Sequence, residues 1–164
     1  MSNYKVPVKD FLFLFNDVLD MQAKYQNING GDQATPDMLE AIFTEAARFS
    51  ENELAPLYQS GDEGCLWNDG VVTTPKGFKE AYKTFIEGGW TTLTGSEDMG
   101  GQYLPSSISL AVTEMFTTAN WAWAMYPGLS EGAIATLEDH GTDAQNKDYL
   151  TKLVSGVWSG TMCL

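Results

Sequence analysis

Ser155-Gly156-Val157-Trp158-Ser159-Gly160-Thr161-Met162-Cys163-Leu164, the last stretch of the sequence, sets β-forming residues behind a glycine that ends a helix. It reads as the start of a strand with no partner after it in the sequence. Everything upstream reads otherwise, because apolar residues recur at helical spacing between capping and breaking residues. The fold class follows from that contrast: an all-α body that ends on the first residues of a sheet.

Working back from Gly156, Thr142-Asp143-Ala144-Gln145 is a capping box. It predicts a last helix with Leu150, Leu153 and Val154 facing inward. Before it, a helix from Leu129 to His140 is expected to bury Ala133, Ile134 and Leu137, with Gly141 as its stop. Pro127 and Gly128 in "WAWAMYPG" predict an interruption ahead of that helix. A helix beginning near Pro105 carries the stripe Ile108, Ala111, Val112, Met115, Phe116 and Ala119. The Gly-rich loop "GSEDMGGQYLP" precedes it.

Two Thr-Pro pairs, Thr35-Pro36 and Thr74-Pro75, predict helix starts, since the hydroxyl caps a free amide and proline at the first helical position loses no hydrogen bond. Leu39, Ile42, Phe43, Ala46, Phe49 and Leu54 supply the stripe of the first, which Pro56 is expected to end or bend. Phe78, Ala81, Tyr82, Phe85 and Ile86 supply the second, stopped at Gly88-Gly89. Between them, Asn68-Asp69-Gly70 predicts a turn joining "CLW" and "VVT" in a small hairpin. An amino-terminal helix from Lys9 to Tyr25 places Phe11, Leu14, Phe15, Val18 and Tyr25 on one face and Leu12, Phe13 and Leu19 on the other, so it asks to be covered twice. "NINGGDQ" reads as a flexible turn after it. These segments predict an all-α bundle of about six helices, orthogonal or up-and-down.

Composition narrows the function classes. Nine basic against 22 acidic residues give a net charge of −13, a field that repels nucleic acid and anionic lipid surfaces. "FLFLF" is too short to span a bilayer, and Met1 to Pro7 lack the basic segment, apolar run and cleavage site of a secretory signal. A reduced cytoplasmic protein is the expectation. Cys65 and Cys163 have no metal-ligand spacing and read as small buried residues rather than nucleophiles. His140, the only histidine, suits the negative end of a helix dipole. Glu97 and Asp98 read as a solvated loop pair. Trp121, Trp123 and Tyr126 fit either an aromatic wall around a ligand or a core cap at a helix end, with the core the favoured reading. No nucleophile elbow, phosphate loop or zinc-protease motif is present.

The ordered set of segments resembles one family. "SGTMCL" resembles the start of the middle domain of acyl-CoA dehydrogenases, where such a strand runs into Thr-Glu-Pro and then Ala-Gly-Ser-Asp. "PGLSEGAIATLEDHGTDAQNKDYLTKLVSGVWSG" is similar to the helical pair that precedes it, and "GWTTLTGSEDMGGQYLP" to the family's Gly-Gly loop. "YKVPVKDFLFLFNDVLD" is similar to the short amino-terminal extension of the branch that includes 3-methylmercaptopropionyl-CoA dehydrogenases. The resemblance implies an extension helix and turn over 1–33, the amino-terminal helical domain over 34–155 and the truncated start of the middle β domain over 156–164.

The resemblance also implies an activity. Family members oxidise an acyl-CoA thioester to its trans-2-enoyl product with FAD, and an electron-transfer flavoprotein takes the electrons. The base is a Glu of the carboxy-terminal domain, so no catalytic residue is assigned here. The fragment is expected to be inactive and not to hold FAD alone, lacking the middle and carboxy-terminal domains; the full-length enzyme is expected to be a homo-oligomer. Met162 and Leu164 match positions lying against the flavin ring, although Met162 replaces an aromatic residue of some relatives. Both equally suit a strand that simply buries two apolar side chains. Met125, Tyr126, Pro127 and Gly128 match the region near the base of the acyl pocket. A stand-alone helical interaction module without catalysis is the alternative.

Overall fold

The computed structural model describes residues 4–161. The chain begins as α1 (Val8–Phe13), which runs on into a wide π-helical turn, Leu14–Val18. It does not continue to Tyr25 as one helix. Asp20 is left-handed at φ 47°, and α2 (Met21–Tyr25) starts afresh beyond it. The wide turn, closed by Leu19 N–H on the Leu14 carbonyl at 2.9 Å, shifts the angular count. Phe15 and Tyr25 are therefore buried as expected, whereas Leu14 and Val18 are exposed along with Phe13 and Leu19.

The second helical run is the spine of the fold. α3 (Pro36–Phe49) opens where Thr35 Oγ1 accepts the Met38 N–H at 3.3 Å. It buries Leu39, Phe43, Ala46 and Phe49. Pro56 does not end the run, which passes through Ser50–Leu54 and Ala55–Leu57 into α4 (Tyr58–Glu63). Proline near the start of a new tight turn gives up no bond that the turn needs. β1 (Leu66–Asn68) then pairs antiparallel with β2 (Val71–Thr73), Asn68 facing Val71. Asp69 and Gly70 both have positive φ, as a two-residue hairpin loop demands.

α5 (Phe78–Glu87) begins behind left-handed Gly77, not at Thr74-Pro75. It buries Phe78, Ala81 and Phe85, with Tyr82 and Ile86 packed at the edge of the core. α6 (Ser106–Ala119) buries the six residues of its predicted stripe. α7 (Trp121–His140) is continuous, with Pro127 inside it. The predicted interruption is absent: proline past the first turn has cost one backbone bond without breaking the helix. On its second half Ala133, Ile134 and Leu137 are only half-buried. α8 (Asp143–Gln145) starts on the predicted capping box and leads through Asn146–Leu150 to α9 (Thr151–Val154), burying Leu150, Leu153 and Val154.

Between Gly156 and Thr161 the chain is turn and irregular backbone rather than strand. A strand needs a partner ladder, and the described residues offer none there. Met162, Cys163 and Leu164 lie outside the described residues. The fold is thus mostly helical with one small hairpin.

The core centres on Phe49. Its ring lies 5.2 Å from Phe116, 5.8 Å from Trp123, 6.2 Å from Phe85 and 6.4 Å from Trp90, so four segments meet on one side chain.

The amino-terminal arm is tied to this body. Tyr4 Oη donates to the Met115 carbonyl at 3.3 Å, the Val6 N–H donates to Glu51 Oε1 at 3.0 Å, and Lys5 pairs with the same carboxylate. Burial raises the Glu51 pKa, but the Lys5 and Val6 hydrogen bonds and the Lys5 charge outweigh it, and the net shift is downward. A depressed carboxylate stabilises the docked arm above its unfolded pKa and loses that contribution as pH falls through its folded pKa. Hydrogen exchange at the Val6 amide is therefore expected to accelerate as pH falls below the carboxylate range, after correction for intrinsic rates. Glu51→Gln should remove that step; an unchanged profile in the variant would refute the linkage.

Candidate functional site

The sequence marks Met125 to Gly128, and α7 places them past its first turn. α7 starts where Asn120 Oδ1 accepts the Trp123 N–H at 3.0 Å. Trp123 is 1% exposed, and its indole N–H donates to the Phe78 carbonyl at 3.3 Å. That bond locks α7 to the start of α5. Of the three aromatic residues read as wall or core, Trp123 is core, Trp121 is exposed, and Tyr126 sits between.

Tyr126 stands edge-on to Phe78 at 5.7 Å and, with Tyr82, Trp123, Thr74, Lys79 and Ser159, lines a cavity of about 200 Å³. Lys79 is the only charged side chain among those lining residues. The walls are aromatic, so the cavity suits an apolar group, which gains about 0.8 kcal/mol per buried methylene. The Tyr126 hydroxyl shares a hydrogen with Cys65 Sγ at 3.4 Å. That contact, then burial, then the charge of a Cys65 thiolate, push the phenol pKa up to about 12. Tyr126 is thus neutral at ordinary pH. Cys65 is exposed, not buried, because it leads into a hairpin whose every residue is exposed.

The other three marked residues separate from Tyr126. Pro127, half-buried, and Gly128, exposed, border a narrow space of about 30 Å³ with Phe85, Phe116, Trp123 and Ala124. Met125 is exposed. Helical geometry explains the split, since consecutive residues point about 100° apart.

One wall of the Tyr126 cavity is the carboxy-terminal segment. Tyr82 Oη donates to the Gly156 carbonyl at 3.2 Å, and the Trp158 N–H donates to the Lys152 carbonyl at 3.0 Å. The Lys152 ammonium sits 4.0 Å over the Trp158 ring. The Gly160 N–H donates to Ser130 Oγ of α7 at 2.9 Å. Met162 and Leu164, matched by resemblance to flavin contacts, follow directly and lie outside the described residues. Sequence reasoning missed Lys79, Ser159, Asn120 and Ser130. Asn120 carried a readable signal, an N-cap residue before an apolar run; Ser130 carried none, since its partner is distant in the chain.

A larger cleft of about 550 Å³ lies between the 90–95 loop, α6 and α7. Serine and threonine hydroxyls, Glu131 and Glu138 line it together with apolar Trp90, Leu110, Ile134 and Val154, and it contains none of the marked residues. Desolvation within the cleft raises the Glu131 pKa above the usual carboxylate range. His140 ends α7 in an exposed position, as a capping residue would. Among the described residues no cluster of side chains could hold a metal ion, and no helix is long and apolar enough to cross a membrane.

A helical body whose last described segment wraps beside an aromatic cavity matches a known domain. Residues 36–157 match the family described as acyl-CoA dehydrogenase, N-terminal domain, and the chain belongs to that family. It is 36% identical over 162 residues to 3-methylmercaptopropionyl-CoA dehydrogenase of Ruegeria pomeroyi, covering 98% of this chain and 27% of that protein. It is 27% identical to a butyryl-CoA dehydrogenase of Syntrophomonas wolfei and 28% identical to a broad-specificity linear acyl-CoA dehydrogenase of Mycobacterium tuberculosis, covering 99% and 100% of this chain and 27% of each relative. The chain therefore spans about a quarter of the length of these relatives.

Proposed function

We propose that this chain supplies the amino-terminal helical part of an FAD-dependent acyl-CoA dehydrogenase, which converts an acyl-CoA thioester to the trans-2-enoyl-CoA, and that it is inactive alone. The observation that carries this is 36% identity, over 98% of the chain, to an enzyme of which the chain spans only 27%. The open surface fits: Ile134 and Leu137 of α7 are half-buried, and Val157 and Trp158 are exposed, as faces awaiting further domains would be.

The Tyr126 cavity is the proposed wall for the acyl tail. Its aromatic side chains exclude water, and neutral Tyr126 introduces no charge beside an apolar chain. The chain's −13 charge argues that the phosphates of coenzyme A and FAD are held by the other domains. At the flavin edge the residues present fit: 153–164 carry no charged side chain in an otherwise strongly acidic protein. Met162 and Leu164 would lie against the ring, which when bound supplies the hydride acceptor. The electron-transfer flavoprotein, the remaining two domains and a homo-oligomeric assembly complete the proposal.

The full product of the gene is expected to purify yellow and to reduce an artificial dye when given acyl-CoA, whereas residues 1–164 alone are expected to stay colourless. A colourless, inert full product would overturn the reading. It would instead favour a helical interaction module, for which the exposed apolar side chains of the hairpin, Leu66, Trp67, Val71 and Val72, would be the natural surface.

A further inference from the structure

We propose that Ser130 is a positioning residue for the flavin-facing strand: its buried hydroxyl takes the Gly160 amide and sets the register in which the backbone leaves the helical body toward Met162 and Leu164. The inference rests on the function proposed above and adds a role within it.

Ser130 is 7% exposed in the middle of α7, where alanine would be the better helix former and burying a hydroxyl costs free energy unless it is bonded. A serine inside a helix ordinarily bonds back to the carbonyl one turn earlier. Ser50 does so, donating to the Ala46 carbonyl at 2.8 Å. Ser130 instead accepts a bond from outside the helix, the Gly160 N–H at 2.9 Å. Gly160 makes that approach possible: a Cβ there would come within 3.1 Å of Ala133 Cβ and 3.3 Å of Ser130 Cα. The segment is thus held at Gly156 by Tyr82, at Trp158 by Lys152 and at Gly160 by Ser130, on alternate residues. In a strand a slip of one residue reverses which side chains face the ring, so the last anchor before a strand decides its facing.

The test uses the full product of the gene and reads flavin, not turnover. Ser130→Ala should weaken FAD retention about 10-fold (~1.4 kcal/mol) and shift the bound flavin's absorption, with helical circular dichroism unchanged. Ser130→Thr, which keeps the hydroxyl, should restore both. Ser50→Ala removes a comparably buried hydroxyl elsewhere and should leave the flavin as in the wild type. If Ser130→Ala does not fold, Ser130→Cys keeps the shape of the side chain but offers a weaker acceptor to the Gly160 N–H, and should lose flavin in the same direction. In residues 1–164, without flavin, Ser130→Ala should speed exchange of the Gly160 amide at least 10-fold against the Thr142 amide. A yellow wild type whose Ser130→Ala variant matches Ser50→Ala overturns the positioning role alone, as does unchanged Gly160 exchange. A wild type without flavin overturns the functional reading and this role with it.

Discussion

Replacing Phe49 with alanine is expected to remove about 4 kcal/mol of stability, because truncating a fully packed phenylalanine loses transfer free energy and leaves a cavity. The site has little capacity to collapse. The ring is 4% exposed and packs against Phe85, Trp90, Phe116 and Trp123, so refilling the space would require α5, α6, α7 and the 90–92 turn to move together. Domains of this size are stable by roughly 5–15 kcal/mol, so a large share of the total would be lost. Phe13→Ala is the control: that ring is 58% exposed, and its loss should cost within about 0.5 kcal/mol. Urea unfolding followed by tryptophan fluorescence separates the two. Equal midpoints for the variants would show that Phe49 is not the hub of the core.

The same residue shows what pattern reading delivers. Phe49 was legible because α3 and α6 are ordinary amphipathic helices, whose buried faces recur every three to four residues. Their stripes, like the Thr35 cap of α3 and the Thr142 capping box of α8, rest on local physics alone. The reading failed where local rules were overridden. Leu14 and Val18 were placed on the buried face by a count that the wide turn at Leu14–Val18 invalidates. Pro127 was read as a break, yet the packing of Trp123 and Ala124 on one side and Ser130 on the other holds α7 through it. The β-forming residues after Gly156 form no strand up to Thr161, because strand formation needs a partner that local preference does not supply.

The stretch "NINGGDQ" forms the turn read from it, but the reason for its glycines was not legible. A Cβ on left-handed Gly30 would sit 1.8 Å from the Tyr103 carbonyl oxygen and one on Gly31 would sit 1.9 Å from that of Tyr25. The glycines are there for close approach of backbones, which a single sequence cannot distinguish from looseness. The candidate site was legible in still smaller part. Tyr126 lines the aromatic cavity, but Met125 and Gly128 are exposed and Pro127 is half-buried away from it, and the bonds that shape the site, Trp123 to Phe78 and Gly160 to Ser130, join residues far apart in the chain.

Asn120 should show the second large effect. It is 1% exposed and makes two buried connections with one amide group: Oδ1 caps the Trp123 N–H at 3.0 Å, and Nδ2 donates to the buried Leu54 carbonyl at 3.2 Å. Asn120→Ala loses an N-cap, about 1 kcal/mol, and strands the Leu54 carbonyl without its donor, roughly 1–3 kcal/mol more. A total near 3 kcal/mol is expected. Asn120→Ser keeps a capping oxygen and should recover the first part only. Asn120→Asp also keeps the cap, but its charged form sets a carboxylate against the Leu54 carbonyl in a dry site, which raises the folded-state pKa of the new carboxyl. Stability of that variant should therefore be greatest at acid pH and fall as pH rises through the folded pKa, opposite in sign to the Glu51 effect. Because α7 carries Tyr126 and Ser130, loosening its start should also relax the indole bond to Phe78 and broaden the aromatic cavity, read as a red-shifted tryptophan emission before global unfolding. An Asn120→Asp variant whose stability tracks the wild type at every pH would mean the Leu54 bond contributes nothing, and α7 would then be held by its aromatic packing alone.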